Sequence, residues 1–234
     1  MAAAAHIAPT KPGILVGLTA EAKFIRKVFP HAAIAASGAT SAGAQREAAR
    51  LAACGADCLL SFGLAAGLDP ALPAGTLVVP ETVLAWGTSY VCDPTLRHIL
   101  GSGHASTLGS SLLHSDHVVL QAEEKAHLFA KTGSIALDME SGFLARAAKE
   151  AGLPFAVLRV ICDPATRTLP PVAGTVLSPE GGLNIAALAG SLLRNPRQIP
   201  ALMALGKDAG QARTAMQKFL EQQRTLLAFT RLAG

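Results

Sequence analysis

The sequence predicts an α/β fold built around a largely parallel sheet. Short apolar runs alternate along the chain with segments whose apolar residues recur every three or four positions, which is typical of strands followed by helices. Half of the 234 residues are apolar and 15% are charged, with a mean hydropathy of +0.38, so a sizeable packed core is expected. The chain shows neither an internal repeat nor a clear interdomain linker, and its length fits one large domain.

Five apolar runs are the candidate strands. Each is short and lacks a helical period, and most of them end at a glycine, a proline or an acidic residue. They cover residues 13–18, 58–62, 77–79, 134–137 and 155–162, and residues 118–120 form a shorter apolar run.

Four segments have the pattern of helices. Residues 41–54 are rich in Ala, Arg and Glu and stop at Gly55, a typical helix C-cap. Residues 121–131 and 141–151 follow two of the apolar runs. The last third of the chain is helical in pattern, with one face made of Ala212, Ala215, Met216, Phe219, Leu220, Gln223, Leu226 and Leu227.

Charge divides the chain into a main part, residues 1–190, and a basic helical tail, residues 191–234. The tail has seven basic residues against two acidic ones, whereas the rest has 13 against 14. One interpretation is contact with an anionic membrane surface, and the other is a solvated helix packed on the core or on a second subunit. Ten aromatic residues and no known binding motif argue against nucleic acid as a partner.

Cysteine and histidine usage predicts neither a disulfide framework nor a metal site. The chain has four cysteines, and Cys54 and Cys58 have no second pair at metal-binding spacing. The seven histidines have no ligand spacing either, and no cofactor motif occurs, so no cofactor is expected. The start of the chain lacks the features of a secretory signal, and a reducing cytoplasm is the expected location.

Acidic residues cluster near the ends of the predicted strands, where open α/β sheets bind ligands. They are Glu21, Asp116, Asp138, Glu140 and Asp163. The second strand runs into residues 63–67, which we expect to form a loop of small residues. Taken singly, each acid is also explained as a helix cap or a turn residue, and the glycines as turn formers. Residue types and spacing alone therefore indicate an α/β enzyme with acidic strand ends.

The ordered set of these segments resembles the nucleoside phosphorylase and nucleosidase superfamily. The resemblance lies in residues 13–17 with Glu21, the Ser-Phe-Gly-Leu-Ala-Ala-Gly segment at 61–67, Asp-Met-Glu-Ser at 138–141, and Leu-Pro-Phe to Asp at 153–163. It implies a phosphorylase/hydrolase-like three-layer α/β/α fold with a central mixed, mostly parallel sheet. It also implies a homo-oligomer, such as a dimer, with subunits paired across the active site.

Within that superfamily, the chain is most similar to the hopanoid-associated phosphorylases, also called adenosylhopane nucleosidases. The likeness rests on the Phe-Gly-Leu-Ala segment, on Cys-Asp-Pro-Ala at 162–165 followed by Leu-Pro-Pro at 169–171, and on the basic stretch 191–200. It implies release of adenine from adenosylhopane in hopanoid biosynthesis. The substrate would then be a lipid-linked purine nucleoside, and the enzyme would work at the periphery of the inner membrane.

The resemblance assigns roles to residues at both ends of the glycosidic bond. Asp163 matches the acid that protonates or hydrogen-bonds purine N7, and Glu140 matches the carboxylate that binds the ribose hydroxyls. Met139 would lie against the ribose. Val118 and Val119 fall where relatives stack on the base, often with an aromatic residue.

Residues at the other side of the sugar would bind the nucleophile. The segment that contains Gly63, Leu64 and Ala65 would line this pocket with backbone N–H groups. Phosphorylases of the superfamily tend to have an arginine and a serine where this chain has Ser61 and Leu64, so their usual phosphate contacts are missing. Hydrolytic relatives activate water with a glutamate, and Glu21 lies one position before its expected place.

Three functions follow from the sequence. The first is cleavage of adenosylhopane, by phosphate as a co-substrate or by water. The second is cleavage of methylthioadenosine, S-adenosylhomocysteine or another small nucleoside. The third is a non-catalytic paralogue that binds nucleotides or a membrane surface, and the joint presence of Glu140 and Asp163 argues against it.

Overall fold

A computed structural model describes residues 11–174, 195 and 198–222. These residues form one mixed, mostly parallel sheet with helices packed on its faces. The predicted fold class is therefore confirmed. Within these ranges, no helix has the length and apolar character needed to cross a membrane.

Ten strands make up the sheet, in the spatial order β6-β5-β8-β9-β3-β10-β4-β7, and β1 joins β3 to β2. Six strand pairs are parallel, and the pairs β5–β6, β3–β9 and β4–β10 are antiparallel. The strands are β1 (Pro12–Val16), β2 (Ala33–Ala36), β3 (Cys58–Gly67), β4 (Leu77–Val78), β5 (Thr82–Ala85), β6 (Thr88–Val91), β7 (Thr107–Leu108), β8 (Ser111–His114), β9 (Ala136–Asp138) and β10 (Phe155–Asp163).

Within the described residues, five helices lie between strands along the chain, and a sixth follows the last strand. They are α1 (Thr19–Val28), α2 (Ser41–Ala53), α3 (Pro94–Ile99), α4 (Ala122–Thr132), α5 (Ser141–Ala151) and α6 (Ile199–Gln222), with a short 3₁₀ helix at Pro171–Gly174. Gly133 and Gly152 follow α4 and α5 in the left-handed conformation, which ends a helix at little steric cost for glycine.

Side chains that alternate along the central strands bury two apolar layers, one on each face of the sheet. On β10, for example, Val157 belongs to the layer under α2 and α5, whereas Leu158 belongs to the layer under α1, α3 and α6. Met216 and Phe219 bring α6 into the second layer. The described part of the predicted basic tail therefore packs on the core, and residues 191–194, 196–197 and 223–234 of that tail lie outside the described residues.

Two segments differ from the sequence predictions. Residues 63–67 are not a loop, because they continue β3 and pair with β10 and β9. Residues 118–120 belong to the connection between β8 and α4 rather than to a strand. Small residues allow β3 to continue at this point, since Gly63 and Gly67 lie close to side chains of β10.

The change of partners along β3 creates an opening in the sheet. On one side, β3 pairs with β1 through Phe62 and with β9 from Ala66 onward. Residues 63–65 lie between the two pairings, so this side of β3 has no neighbouring strand there among the described residues. A ligand site is expected at such a point, beyond the carboxyl ends of the parallel strands.

Candidate active site

A cavity of about 230 Å³ lies at this opening. Its walls are mostly apolar, and three acidic residues, Asp138, Glu140 and Asp163, contribute to them. The β3 residues at the opening, Leu64 and Ala65, form part of the wall. An apolar cleft with a few convergent polar groups is the usual form of a small-molecule site.

Glu21 and Glu140 both approach Gly17, which follows β1. Glu21 Oε2 and Glu140 Oε1 are 3.3 and 3.4 Å from the position that a Cβ atom would occupy on Gly17. Glu21 Oε2 also accepts a hydrogen bond of 2.9 Å from the N–H of Leu18, so Glu21 caps α1 as well as facing Glu140. Both interpretations of this residue, the helix cap and the site residue, are compatible with this position.

Arg159 holds the next acidic residue in place. Its Nε donates a hydrogen bond of 2.5 Å to Asp138 Oδ2, and its terminal nitrogen contacts Ser61 Oγ at 2.7 Å. Asp138 also accepts hydrogen bonds from Ser141 at the first turn of α5. Asp138 is therefore committed to structural contacts, whereas Glu140 has a longer ion pair of 3.6 Å with Arg159.

Asp163, the last residue of β10, is paired with a lysine that the sequence analysis did not select. Lys125 Nζ, from α4, lies 2.5 Å from Asp163 Oδ2 and is fully buried. The second oxygen, Asp163 Oδ1, is buried without a hydrogen-bond partner among the described residues. Asp163 thus has one carboxyl oxygen available for a ligand in the cavity.

Buried carboxyl groups outnumber buried cations around the cavity. Among the described residues, the buried carboxyl groups are Glu21, Asp138, Glu140 and Asp163, and the buried cations are Lys125 and Arg159. The buried His114 adds no positive charge near neutral pH, because burial lowers its pKa. When these carboxyl groups are ionised, the site as a whole favours a ligand with cationic character.

Burial also changes the proton affinity of these acids. It raises the pKa of Glu21, against the opposing effects of the Leu18 N–H and the Arg159 guanidinium. Burial raises the pKa of Glu140 to about 7, an effect that Arg159 opposes and that Asp138 and Glu21 reinforce. The pKa of Asp163 is raised by burial and lowered by Lys125, with a net upward shift. Such shifts bring carboxylic acids toward the range in which they exchange protons near neutrality.

The structure brings most of the residues selected from the sequence to one place. Eight line the cavity, namely Leu64, Ala65, Val118, Val119, Asp138, Met139, Glu140 and Asp163, whereas Glu21 is not part of its lining. Gly63 precedes two of these residues in the chain. A Cβ atom added to it would lie 3.2 Å from an Arg159 nitrogen and 3.7 Å from Glu21 Oε2. Asp116 does not line the cavity, since its carboxylate accepts a hydrogen bond from Trp86 on the β5–β6 turn.

Sequence reasoning missed several residues of the site. Lys125 is a single charge within a polar helical segment, and only its burial sets it apart from the other lysines. Ser37 Oγ lies 3.3 Å from both Glu140 Oε1 and the carbonyl oxygen of Gly17. Leu205, from α6, also lines the cavity, although it is far in sequence from the other lining residues. The sequence offered a signal for Arg159, because it is a charged residue within an otherwise apolar strand.

Comparison with family models identifies the class of protein. The model of the phosphorylase superfamily matches residues 30–176, which is more than half of the chain. The chain therefore belongs to the phosphorylase superfamily. A search of curated protein sequences finds no significant match.

Solved structures with the same fold include several nucleosidases. The 5′-methylthioadenosine/S-adenosylhomocysteine nucleosidase of Helicobacter pylori is 17% identical with a TM-score of 0.69, covering 92% of this chain and 97% of that one. The corresponding nucleosidase of Neisseria meningitidis, bound to methylthio-immucillin-A, is 15% identical with a TM-score of 0.69, covering 95% and 100%. The futalosine hydrolase of H. pylori is 17% identical with a TM-score of 0.69, covering 92% and 97%. At these identities, the likeness demonstrates the shared fold.

Proposed function

We propose that this protein hydrolyses the N-glycosidic bond of a purine nucleoside. Superfamily membership supports a nucleoside-cleaving enzyme. The observation that carries the proposal is the number of buried carboxyl groups: Asp138, Glu140 and Asp163 line the cavity and Glu21 lies near Glu140, against two buried cations among the described residues.

The negative site suits the charge that develops on the sugar. When the glycosidic bond breaks, the sugar becomes cationic at C1′, as in other glycoside hydrolyses. Glu140 lines the cavity and, when ionised, would bind ribose hydroxyls and favour that cation. Met139 beside it offers an apolar surface to the ribose.

Asp163 would act at the opposite end of the bond. A purine is a poor leaving group unless it is protonated as the bond breaks. In this step, the N9–C1′ electron pair moves into the base, and the proton leaves Asp163 for purine N7. Val118 and Val119 line the same cavity and would contact the base with apolar surface, although with a smaller area than an aromatic ring.

Water is the nucleophile that the geometry favours. A phosphate placed at the sugar would lie beside Glu21 and Glu140, and the nearest cation, Arg159, is already bound to Asp138. Repulsion between like charges in a buried site disfavours that arrangement. Glu21 would instead accept a proton from water as the water oxygen bonds to C1′, and its raised pKa suits a base that works near neutrality.

Two substrates remain candidates, and both would release adenine. Adenosylhopane is supported by the sequence resemblance to hopanoid-associated phosphorylases and by Leu169, Ala173 and Leu205, which give the cavity further apolar wall. Methylthioadenosine or S-adenosylhomocysteine is supported by the shared fold with nucleosidases that are named for these compounds. The first substrate would place the enzyme at a membrane surface, and the second would not require it.

The test measures adenine release from adenosylhopane in detergent micelles and from methylthioadenosine, each in phosphate-free buffer. Release from either compound supports a nucleosidase, and the ratio of the two kcat/KM values identifies the preferred 5′ substituent. Release only after phosphate is added contradicts the hydrolytic mechanism. No release from a range of purine nucleosides under any condition contradicts the proposed activity and favours a non-catalytic, nucleotide-binding role.

A further inference from the structure

Lys125 is a buried charge whose role the proposed reaction does not yet include. Its amino group, at 0% exposure, donates to Asp163 Oδ2 at 2.5 Å and to the carbonyl oxygens of Arg167 at 2.9 Å and Pro164 at 3.2 Å. An ammonium group has three N–H donors, so these contacts use all of them. The lysine is therefore fully hydrogen-bonded without any contact to a ligand.

These contacts make the two oxygens of Asp163 different from each other. Oδ2 is occupied by the Lys125 ammonium, while Oδ1 has no partner among the described residues. Since Asp163 lines the cavity, Oδ1 is the oxygen left for a ligand there. A proton on Oδ2 would displace a charged donor at short range, so protonated Asp163 carries its proton on Oδ1.

Lys125 also anchors the segment that follows β10. Its bonds to the carbonyl oxygens of Pro164 and Arg167 fix the turn directly after Asp163. The Arg167 side chain forms an ion pair of 2.5 Å with Asp208 on α6. The orientation of Asp163 thus depends on one lysine of α4 and on a turn that α6 supports.

We propose that Lys125 is the positioning residue of the leaving-group acid: it holds Asp163 Oδ2 so that Oδ1 carries the proton delivered to the departing purine. This inference rests on the proposed function. During cleavage, the Oδ1–H bond breaks, an N7–H bond forms, and the electron pair of the broken bond stays on Oδ1. The Asp163 carboxylate formed in this step is stabilised by Lys125, which keeps its three protons throughout.

This pairing makes a prediction for the pH profile. The charged groups that face Asp163 are Lys125 from α4, Arg167 from the turn and Asp208 from α6. Burial raises the pKa of Asp163, Lys125 and Arg167 lower it, and Asp208 raises it. Since the acid must be protonated to act, activity falls as pH rises through this pKa. Loss of the Lys125 ammonium therefore moves the basic limb to higher pH.

The variants Lys125→Met and Lys125→Arg test the role, with Lys131→Met as a matched control on the exposed face of the same helix. Lys125→Met should lower kcat for adenine release by about 10- to 100-fold, within the range of general acid catalysis, and change KM much less. Its basic limb should shift upward. Lys125→Arg keeps the charge and should restore part of kcat and keep the basic limb near that of the wild type, while Lys131→Met should match the wild type.

Two further measurements separate a role through Asp163 from a general structural role. A 4-nitrophenyl riboside leaves without protonation, so Lys125→Met and Asp163→Asn should both retain its hydrolysis while losing adenine release. Lys125→Met should have little additional effect on kcat in an Asp163→Asn background, because both changes remove the same step.

The outcomes are distinct. Equal losses on both substrates, an unmoved basic limb, or additive effects in the double variant would overturn the role of Lys125. If Lys125→Met does not fold, Lys125→Arg carries the test, and equal losses on both substrates again overturn the proposal. A wild-type protein that releases no purine overturns the proposed function and this inference together, whereas an active wild type with an unaffected Lys125→Met overturns this inference alone.

Discussion

Individual carboxyl groups in this site differ in how strongly they are held by hydrogen-bond and ion-pair partners. Asp138 is fixed by Arg159 and Ser141, whereas the burial of Glu21 is offset only in part by backbone N–H groups and by the guanidinium groups of Arg159 and Arg213. A buried acid that has weak partners exchanges protons at higher pH than usual, which suits a base or an acid in catalysis. In the proposed reaction, structural and chemical roles are thus divided among neighbouring acids.

Replacement of Glu21 by Gln tests its role as the base. The amide keeps an oxygen that can accept the Leu18 N–H but cannot take a proton from water. We expect kcat to fall by about 10²- to 10⁴-fold, with little change in KM. Steady-state kinetics check this, with Glu47→Gln on α2 as the control, because Glu47 pairs only with surface arginines in the described residues. An unchanged kcat in Glu21→Gln would remove Glu21 from the mechanism.

Replacement of Glu140 by Gln should change how stability depends on pH. Burial raises the pKa of Glu140 from 4.5 to about 7, so the folded protein binds more protons than the unfolded chain in this interval. The contribution of Glu140 to the free energy of unfolding therefore falls as pH rises from about 4.5 through about 7. Glu140→Gln lacks this contribution, and its stability relative to the wild type should be greater at pH 8 than at pH 4.5.

Urea unfolding at the two pH values measures that difference. Glu81→Gln is a suitable control, because the Glu81 side chain is 63% exposed. A stability difference between Glu140→Gln and the wild type that is the same at both pH values would contradict the raised pKa. The slope that remains in the variant combines the raised pKa of Glu21 and Asp163 with the lowered pKa of His114, which contributes with the opposite sign.

At the scale of elements, α6 contributes to the wall of the cavity through Leu205. Met216 and Phe219 anchor this helix in the core, and the Asp208–Arg167 ion pair ties it to the turn after β10. Leu205 is thereby held against the cavity as part of its apolar wall. The helix, rather than the sheet, contributes this part of the wall.

Leu205→Asp tests that role. A carboxylate in the wall would have to lose hydration when an apolar substituent binds, so KM for methylthioadenosine should rise by about 10- to 100-fold. The rise should be smaller for adenosine, whose 5′ group is polar. Met203→Asp is the control, because Met203 lies on the same helix and is 71% exposed. Equal KM increases for the two substrates would show that Leu205 does not contact the 5′ substituent.

The sequence predicted these elements unevenly. Helix α5 was predicted at the observed residues, because its apolar spacing and Gly152 mark both the face and the end. The end of β3 was predicted as a loop, because Gly and Ala in residues 63–67 have low strand propensity and only the pairing with β10 and β9 overrides it. The long segment between residues 77 and 120 has weak periodicity, and its hairpin turn at Trp86 and Gly87 was not predicted.

At the scale of the whole molecule, the site exists because the sheet order differs from the chain order. Glu21 follows β1, Glu140 precedes α5 and Asp163 ends β10. These elements meet where the neighbouring strand of β3 changes from β1 to β9. The resemblance to a known superfamily selected these residues from the sequence. Their contacts, and above all the pairing of Asp163 with Lys125, depend on registers that no local pattern encodes.

The excess of buried carboxyl groups is likewise a property of the assembled molecule. Each acid taken alone is explained as a cap or a turn residue, and in the proposed reaction the ionised acids together would favour a cationic sugar and disfavour a phosphate beside it. The proposal of hydrolysis depends on this collective property. The identity of the sugar product is therefore the most direct test of hydrolysis.

The decisive measurement is analysis of the sugar product, by ³¹P NMR and mass spectrometry, after turnover of methylthioadenosine or adenosylhopane in saturating phosphate. We predict free sugar in a one-to-one ratio with adenine, formed at a rate that does not depend on phosphate concentration. A sugar 1-phosphate, formed at a rate that rises with phosphate, would contradict hydrolysis and show that the site binds an anion despite its carboxyl groups.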